Sequence, residues 1–88
     1  MKIKSGFILR EIAGSNIAMP VGEMAGKVNG MIELSSTGAI LWKKLEVGAS
    51  EEELVTEIIS QFEIDVETAK KDVAVFVNSL KTQGWIEE

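Results

Sequence analysis

The chain contains no cysteine and no histidine among its 88 residues. Without cysteine the fold has neither a disulfide framework nor a thiolate metal site. Without histidine it lacks the side chain that most often acts as a general acid or base near neutral pH and most often ligates metals. The hydroxyl groups of Ser35, Ser36 and Thr37 therefore have no imidazole to activate them. The sequence predicts a protein that is not an enzyme, with no catalytic residue, no metal site and no cofactor.

Long apolar runs and basic surfaces are missing as well. No apolar run approaches the ~20 residues that a membrane helix requires, and residues 1–6 are not followed by the apolar segment of a signal peptide. The net charge is -5, and the one arginine is at position 10. Phosphate backbones select positive charge, so the composition argues against a nucleic-acid partner. We expect a cytoplasmic protein that binds neither a membrane nor a nucleic acid.

What is present suffices for one hydrophobic core. Hydrophobic residues make up 45% of the chain, and 88 residues are enough for one domain and no more. There is no repeat, no low-complexity segment and no linker. We therefore predict a single domain over residues 1–88.

The first third of the chain has the composition and alternation of β-strands. We predict strands at 7–12, 16–21 and 29–34, with the second one ending near Pro20, which cannot donate a ladder hydrogen bond. In that strand the residues that share one face are Ile17, Met19 and Val21. Two registers are possible for the third strand. We favour the one with Ile32 and Leu34 inward and with Met31 and Glu33 outward.

From residue 35 the apolar period changes to that of helices. Ser35 or Ser36 is a suitable N-cap for the first helix, and Ser50 with Glu53 forms a capping-box pattern for the second. Asp65 is a suitable cap for the third. The third helix has the most regular apolar stripe, made of Val66, Ala69, Val73, Phe76, Val77 and Leu80.

Three strands followed by three helices predict an α+β fold, βββααα, with a three-stranded antiparallel sheet. This order is close to that of a winged helix-turn-helix. The third strand is the last of the sheet by sequence pattern, so it can offer an open edge to another chain.

Several segments together resemble the PqqD family. The most telling is N-G-M-I-E-L-S-S-T-G-A-I-L-W-K-K-L at 29–45, and the resemblance covers about residues 7–86. Ser35 departs from the asparagine expected in many relatives, but both residues cap helices. The other segments are F-I-L-R-E-I-A-G (7–14), M-P-V-G-E (19–23), E-E-L-V-T-E-I (52–58) and D-V-E-T-A-K-K-D-V (65–73).

The resemblance implies a peptide chaperone of the kind called a RiPP recognition element. Such proteins bind the leader of a ribosomally made precursor peptide and present it to a modifying enzyme, often a radical SAM enzyme, in the synthesis of PQQ or another peptide-derived product. The leader adds as an antiparallel strand beside the third strand. Its side chains enter a groove between that strand and the third helix.

The resemblance and the open edge together define an expected peptide-binding set. Apolar positions would anchor the peptide, and lysines on the third helix could pair with an acidic leader residue, although the bland interpretation of Lys70 and Lys71 is a solvated helix face. The expected contacts on the strand are Asn29, Gly30, Met31, Ile32, Glu33 and Leu34. Those on the third helix are Lys70, Lys71, Val73, Phe76, Val77 and Lys81.

Other functions stay open at this point. A winged-helix topology also suits a DNA-binding regulator, but the acidic segment 51–62 would repel phosphates. A small enzyme is disfavoured by the missing histidine and cysteine. A simple dimerisation or regulatory subunit overlaps with peptide recognition, because the same edge can pair with a second copy of the chain. The protein is therefore expected to be a monomer or a homodimer.

Overall fold

The computed structural model describes residues 1–87 and has the predicted order of a sheet followed by three helices. Its elements are β1 (Lys2–Ile3), β2 (Phe7–Ile12), β3 (Ser15–Pro20), a 3₁₀ helix (Gly22–Gly26), β4 (Ile32–Leu34), α1 (Ser36–Val47), α2 (Glu51–Gln61), α3 (Val66–Gln83) and β5 (Ile86–Glu87). The predicted α+β fold is confirmed. The structure also contains two short strands, β1 and β5, that the sequence analysis did not predict.

The main sheet has the order β2-β3-β4 and is antiparallel throughout. Ala13 and Gly14 connect β2 to β3, and both have positive φ angles of 52° and 83°. Two central residues with positive φ are typical of the tight turns whose twist matches that of a hairpin. Glycine adopts this conformation freely, whereas an alanine in it costs about 1 kcal/mol. The local turn sequence therefore sets the register of the hairpin.

The core-facing side of β3 is the one that carries Ala18. This residue has no exposed surface, and its neighbours across the sheet are Leu9 on β2 and Ile32 on β4. Residues opposite each other in a sheet share a face, so Ile17 and Met19 lie on the outer face. The alternation of β3 was visible in the sequence, but its larger apolar side chains lie on the face away from the helices.

Serine side chains begin the first two helices, as predicted. The Gly38 N–H donates to Ser35 Oγ at 3.0 Å, which identifies Ser35 as the cap of α1. At α2 the Glu53 N–H donates to Ser50 Oγ at 3.1 Å and the Ser50 N–H donates to Glu53 Oε1 at 2.9 Å. This reciprocal pair is a capping box. The hydrogen bond from the Ser50 backbone lowers the pKa of the Glu53 carboxyl.

The third helix is defined at both ends. The Thr68 N–H donates to Asp65 Oδ1 at 2.7 Å, and this hydrogen bond lowers the pKa of the Asp65 carboxyl. Gly84 closes the helix in the left-handed conformation, with φ at 79°. This glycine position satisfies carbonyl groups of the last turn. α3 is thus a well-delimited helix of 18 residues.

The core lies between the sheet and the three helices. Its fully buried large side chains are Trp42, Leu41, Leu45, Leu54, Ile58, Val73 and Val77. Val66, which belongs to the predicted apolar stripe of α3, is 49% exposed because it occupies the first residue of the helix. None of the helices within residues 1–87 is both long and apolar enough to cross a lipid bilayer.

The C-terminal segment pairs with the N-terminus rather than with the main sheet. β1 and β5 are antiparallel, with Lys2 opposite Glu87 and Ile3 opposite Ile86. The Lys4 N–H also donates to the Trp85 carbonyl at 2.8 Å. This small second sheet holds both ends of the described chain together and leaves the outer edge of β4 unpaired within residues 1–87.

Candidate functional site

One edge of β4 is open. On its other side β4 pairs with β3, with Ala18 opposite Ile32 and Asn16 opposite Leu34. Across residues 1–87, no strand pairs with the outer edge of β4, and the C-terminal strand lies in the other sheet. An edge strand presents unpaired N–H and C=O groups, which are a template for the addition of another strand.

The orientation of the side chains of β4 agrees with the register that the sequence analysis favoured. Ile32 and Leu34 pack against the core and are half-buried, whereas Glu33 is exposed. Met31, just before the strand, is 65% exposed. The prediction of an apolar inner face and an outward Met31 and Glu33 is therefore confirmed.

The strand is shorter than predicted. Pairing begins at Ile32, so Asn29, Gly30 and Met31 precede β4 rather than forming part of it. Gly30 has a φ of 79°, a left-handed conformation that interrupts an extended strand. The prediction of a strand over 29–34 is corrected to one over 32–34, because the glycine turns the chain into β4 from the preceding loop.

A cleft of about 480 Å³ lies at the C-terminal end of β4, between the start of α1 and α3; we call it the apolar cleft. Phe76 is its largest apolar side chain. A Cβ atom on Gly38 would lie 3.3 Å from Phe76 Cε1, so the missing side chain lets the phenyl ring approach α1. Its lining residues are Ser35, Thr37, Gly38, Leu41, Lys71, Asp72, Val75, Phe76 and Ser79.

A second cleft, of about 400 Å³, lies at the N-terminal end of β4; we call it the lysine cleft. Its walls come from four separate parts of the chain: the residues after β1, the 3₁₀ helix with the loop that follows it, the start of β4 and the end of α3. Its lining residues are Lys4, Met24, Lys27, Val28, Asn29, Ile32, Gln83, Gly84 and Trp85.

One face of α3 borders both clefts. Asp72, Phe76 and Ser79 line the apolar cleft, and Gln83 lines the lysine cleft. Their spacing of four, three and four residues places them on one side of a helix. The open edge of β4 and this face of α3 are therefore the two sides of a groove with a cleft at each end of the strand.

Aromatic packing supports the wall of the lysine cleft. The ring of Phe7 lies 5.3 Å from that of the buried Trp42, edge to face, and 5.3 Å from that of Trp85. The backbone N–H of Trp85 donates to the Leu80 carbonyl at 3.0 Å. Contacts of this geometry stabilise aromatic pairs beyond the area that they bury. Trp85 is thus held from β2, from the core and from the end of α3.

The structure brings some of the expected α3 residues to the groove and removes others. Phe76 and Lys71 line the apolar cleft. Val73 and Val77 are 0% and 1% exposed and belong to the core. The expectation that these two valines contact a ligand is corrected, because the core face of α3 lies next to its groove face and takes both side chains.

The remaining expected lysines lie on the other flank of α3. Lys70 lines a cleft with α2 residues such as Val55 and Ile59. Lys81 lines a cleft with Glu51 of α2. Neither cleft is lined by a residue of β4 or by one that adjoins it, so these two positions lie outside the groove.

Sequence reasoning missed several residues of the groove. The step from Phe76 to Asp72, Ser79 and Gln83 is helical, so the helical period around Phe76 could have identified them. No local pattern links Lys4 or Lys27 to the site, because they come from segments that only the fold brings to β4.

Residues 1–87 contain few other groups that suggest a reactive or metal-binding site. No group of three or more carboxylates with metal-ligand geometry exists within residues 1–87. The carboxyl groups with lowered pKa values, those of Glu53 and Asp65, are helix caps. The open edge of β4 and its two clefts can hold an extended chain by backbone hydrogen bonds and side-chain contacts.

A protein-family model matches most of the chain. The sequence model of the family described as "Coenzyme PQQ synthesis protein D (PqqD)" matches residues 17–86. None of the curated protein sequences matches the chain.

Two solved structures have a similar fold. One is TbiB1 in complex with the TbiA(beta) leader peptide, with a TM-score of 0.76 and 23% sequence identity, over 99% of this chain and 95% of that chain. The other is a lasso peptide synthetase B1 complexed with the leader peptide, with a TM-score of 0.76 and 18% identity, over 99% of this chain and 96% of that chain. At these identities the similarity establishes a shared fold.

Proposed function

This chain belongs to the PqqD family, and we propose that it binds the leader segment of a ribosomally made precursor peptide and presents it to a modifying enzyme. The observation that carries the proposal is the open edge of β4, with a cleft at each end that α3 borders. Both structural neighbours were solved with a leader peptide, which supports the same role here.

In the proposed complex the leader adds as an antiparallel strand beside β4. Backbone hydrogen bonds hold the added strand, and side-chain pockets select its sequence. β4 has only three residues, and each net hydrogen bond is worth about 1 kcal/mol. Micromolar affinity requires about 8 kcal/mol. Most of the affinity must therefore come from side chains that enter the two clefts.

The proposed contact set follows from the groove rather than from the whole of α3. From the expected set it keeps Asn29, Gly30, Met31, Ile32, Glu33, Leu34, Lys71 and Phe76. To these it adds Lys4, Lys27, Gly38, Asp72, Val75, Ser79, Gln83 and Trp85, all of which line one of the two clefts.

The proposal assigns no chemistry to the chain itself. The whole chain, residues 1–88, acts as one peptide-binding domain in the cytoplasm, where ribosomal precursors are made. The reaction is left to a separate enzyme, for which a radical SAM enzyme is the leading candidate on family grounds. The acidic first turn of α2, with Glu51, Glu52 and Glu53, disfavours the DNA-binding alternative.

A titration tests the proposal. Isotope-labelled protein is mixed with the leader of a precursor encoded by a short reading frame near the gene, and amide signals are followed. We expect a 1:1 complex of about micromolar affinity, with the largest changes at 29–34 and at the groove face of α3. Changes confined to α2, or no binding by any neighbouring precursor, would contradict strand addition at β4.

A further inference from the structure

The lysine cleft has a charge that is opposite to that of the chain as a whole. The chain has 14 acidic and 9 basic residues, with a net charge of -5. Two lysines, Lys4 and Lys27, line this cleft, and none of its lining residues is acidic. A local positive site on an acidic protein attracts a negative group to one place while the remaining surface repels it.

Four other clefts on the molecule are lined by charges that balance or that are net acidic. The apolar cleft includes Asp72 beside its lysine. The two clefts between α2 and α3 both include Glu51. The cleft near β1, which Lys4 also lines, includes Glu46 and Glu87. In each of these four, a carboxylate offsets the positive side chains, whereas the lysine cleft has no such group.

The two lysines have fixed backbones and available charges. The Lys4 N–H donates to the Trp85 carbonyl at 2.8 Å, and the Lys27 N–H donates to the Met24 carbonyl at 3.0 Å. Within residues 1–87 neither ammonium group forms an ion pair, in contrast to that of Lys44, which pairs with Glu57. The side chains therefore start from defined positions on two sides of the cleft, and their charge is available to a ligand.

We propose that the lysine cleft is a carboxylate subsite, which selects leader peptides with an aspartate or a glutamate at the position that enters it. This inference rests on the proposed function and names the chemistry of the peptide. The side-chain amides of Asn29 and Gln83 line the same cleft and provide neutral donors beside the two ammonium groups. Lysine suits this role as a point charge, because a flexible stem can follow a mobile carboxylate.

The position of the acidic residue follows from the direction of the added strand. β4 runs from the lysine cleft towards the apolar cleft, so an antiparallel peptide runs from the apolar cleft towards the lysine cleft. A strand advances about 3.3 Å per residue, and the clefts lie at the two ends of a three-residue strand. The acidic residue therefore follows the apolar anchor by roughly two to five residues, allowing for the depth of the clefts.

An unbiased peptide library tests this inference without knowledge of the natural precursor. Random 15-residue peptides are displayed with a free N-terminus and a tethered C-terminus, so that no terminal carboxylate is available, and are selected on the full chain. We expect enriched peptides to have a large apolar residue followed by an aspartate or a glutamate. An amidated synthetic peptide should bind about fivefold more tightly than its Glu→Gln counterpart, and this ratio should fall with added salt.

Two double variants assign the effect to the cleft. Lys4→Gln with Lys27→Gln should abolish the preference for the acidic peptide. Lys43→Gln with Lys70→Gln removes the same net charge from exposed positions outside the groove, and should retain the preference. Far-ultraviolet circular dichroism and a melting curve establish that all proteins are folded.

The outcomes separate this inference from the proposed function. If selected peptides shift the amides of 32–34 but show no acidic preference, or if both double variants lose it equally, the carboxylate subsite is wrong and strand addition stands. If no selected peptide perturbs 32–34, strand addition at β4 fails and the subsite fails with it. A preference that only the Lys4 and Lys27 variant loses supports the inference.

Discussion

The main sheet has two edges, and they differ in what surrounds them. β2 forms one edge with six residues and β4 forms the other with three. Arg10 and Glu11 place charges along β2, a common protection of edge strands against unwanted pairing. β4 has fewer backbone groups to offer, but both of its ends adjoin a cleft that α3 borders.

This difference indicates that the length of an open strand does not identify a binding edge. Backbone hydrogen bonds are the same for every sequence, so an edge without pockets would bind extended chains with little selectivity. An edge with side-chain clefts can choose among peptides even when it supplies only a few backbone bonds. The predictions below test whether β4, rather than β2, is the edge that a peptide uses.

Hydrogen exchange should give the largest contrast. With a leader peptide at a free concentration of 100 times its dissociation constant, exchange of the β4 amides that bond to the peptide should slow by up to ~100-fold. The amides of β2, at 7–12, that do not bond to β3 should exchange at their original rates. Mass spectrometry or NMR measures both regions in one experiment. Equal or greater protection of β2 would reverse the assignment of the two edges.

Replacement of Phe76 should weaken peptide binding next most strongly. Phe76→Ala removes the largest apolar wall of the apolar cleft, and loss of ~1.5–2 kcal/mol of apolar contact corresponds to a ~10–30-fold weaker affinity. Isothermal titration calorimetry with the leader peptide measures the change.

Phe62→Ala is the matched control for Phe76→Ala. Phe62 follows α2, is 39% exposed and does not line either groove cleft. It should leave peptide affinity unchanged. Because Phe76 also packs against the core, thermal melts must establish that Phe76→Ala is folded at the temperature of the titration. Equal affinities for the two variants would mean that the apolar cleft does not contact the peptide.

A negative charge introduced beside the β4 edge should weaken leader binding less than Phe76→Ala does, and one beside the β2 edge should not weaken it. Met31, just before β4, and Ile12, at the end of β2, are 65% and 47% exposed. Met31→Asp should weaken leader binding by ~3–10-fold through loss of an apolar contact, whereas Ile12→Asp should not. Fluorescence anisotropy of a labelled leader measures both. If the Ile12 variant is the weaker binder, the peptide contacts β2.

Acidification should loosen the starts of α2 and α3 slightly more than it loosens β2. The folded-state pKa of Asp65, the cap of α3, is lowered from 3.8, and that of Glu53 is lowered from 4.5. A lowered pKa adds stability above the unfolded-state pKa, and this stability is lost as the pH falls through the folded-state pKa. We therefore expect little change between pH 7 and 5, and a declining melting temperature below about pH 4.

The variant Asp65→Asn tests whether protonation of the Asp65 cap contributes to the loss of stability at low pH. Asparagine also caps helices but does not titrate, so this variant should lose less stability below pH 4 than the original protein. In the original protein, hydrogen exchange should locate the acid-induced loosening at the starts of α2 and α3 and not in β2. An identical decline in both proteins would mean that the Asp65 cap does not contribute to the pH dependence.

Features that depend on residues close in the chain were predictable. The caps Ser35, Ser50 and Asp65 each bond three residues ahead, so the sequence contains both partners. The outward facing of Glu33 followed from strand alternation. The sequence-based prediction failed where the pairing residue is distant in the chain or where the sequence pattern is short. The β1–β5 pair has two residues in each strand and joins opposite ends of the chain.

The sequence by itself determined the order of the elements, the ends of the helices and the apolar faces that build the core, because these depend on backbone preferences and on periods of two and 3.6 residues. Only the tertiary structure decided which flank of α3 faces β4. It buried Val73 and Val77 and turned Phe76 to the groove. It also brought Lys4 and Lys27 together. Such placements depend on how elements pack, which local patterns do not encode.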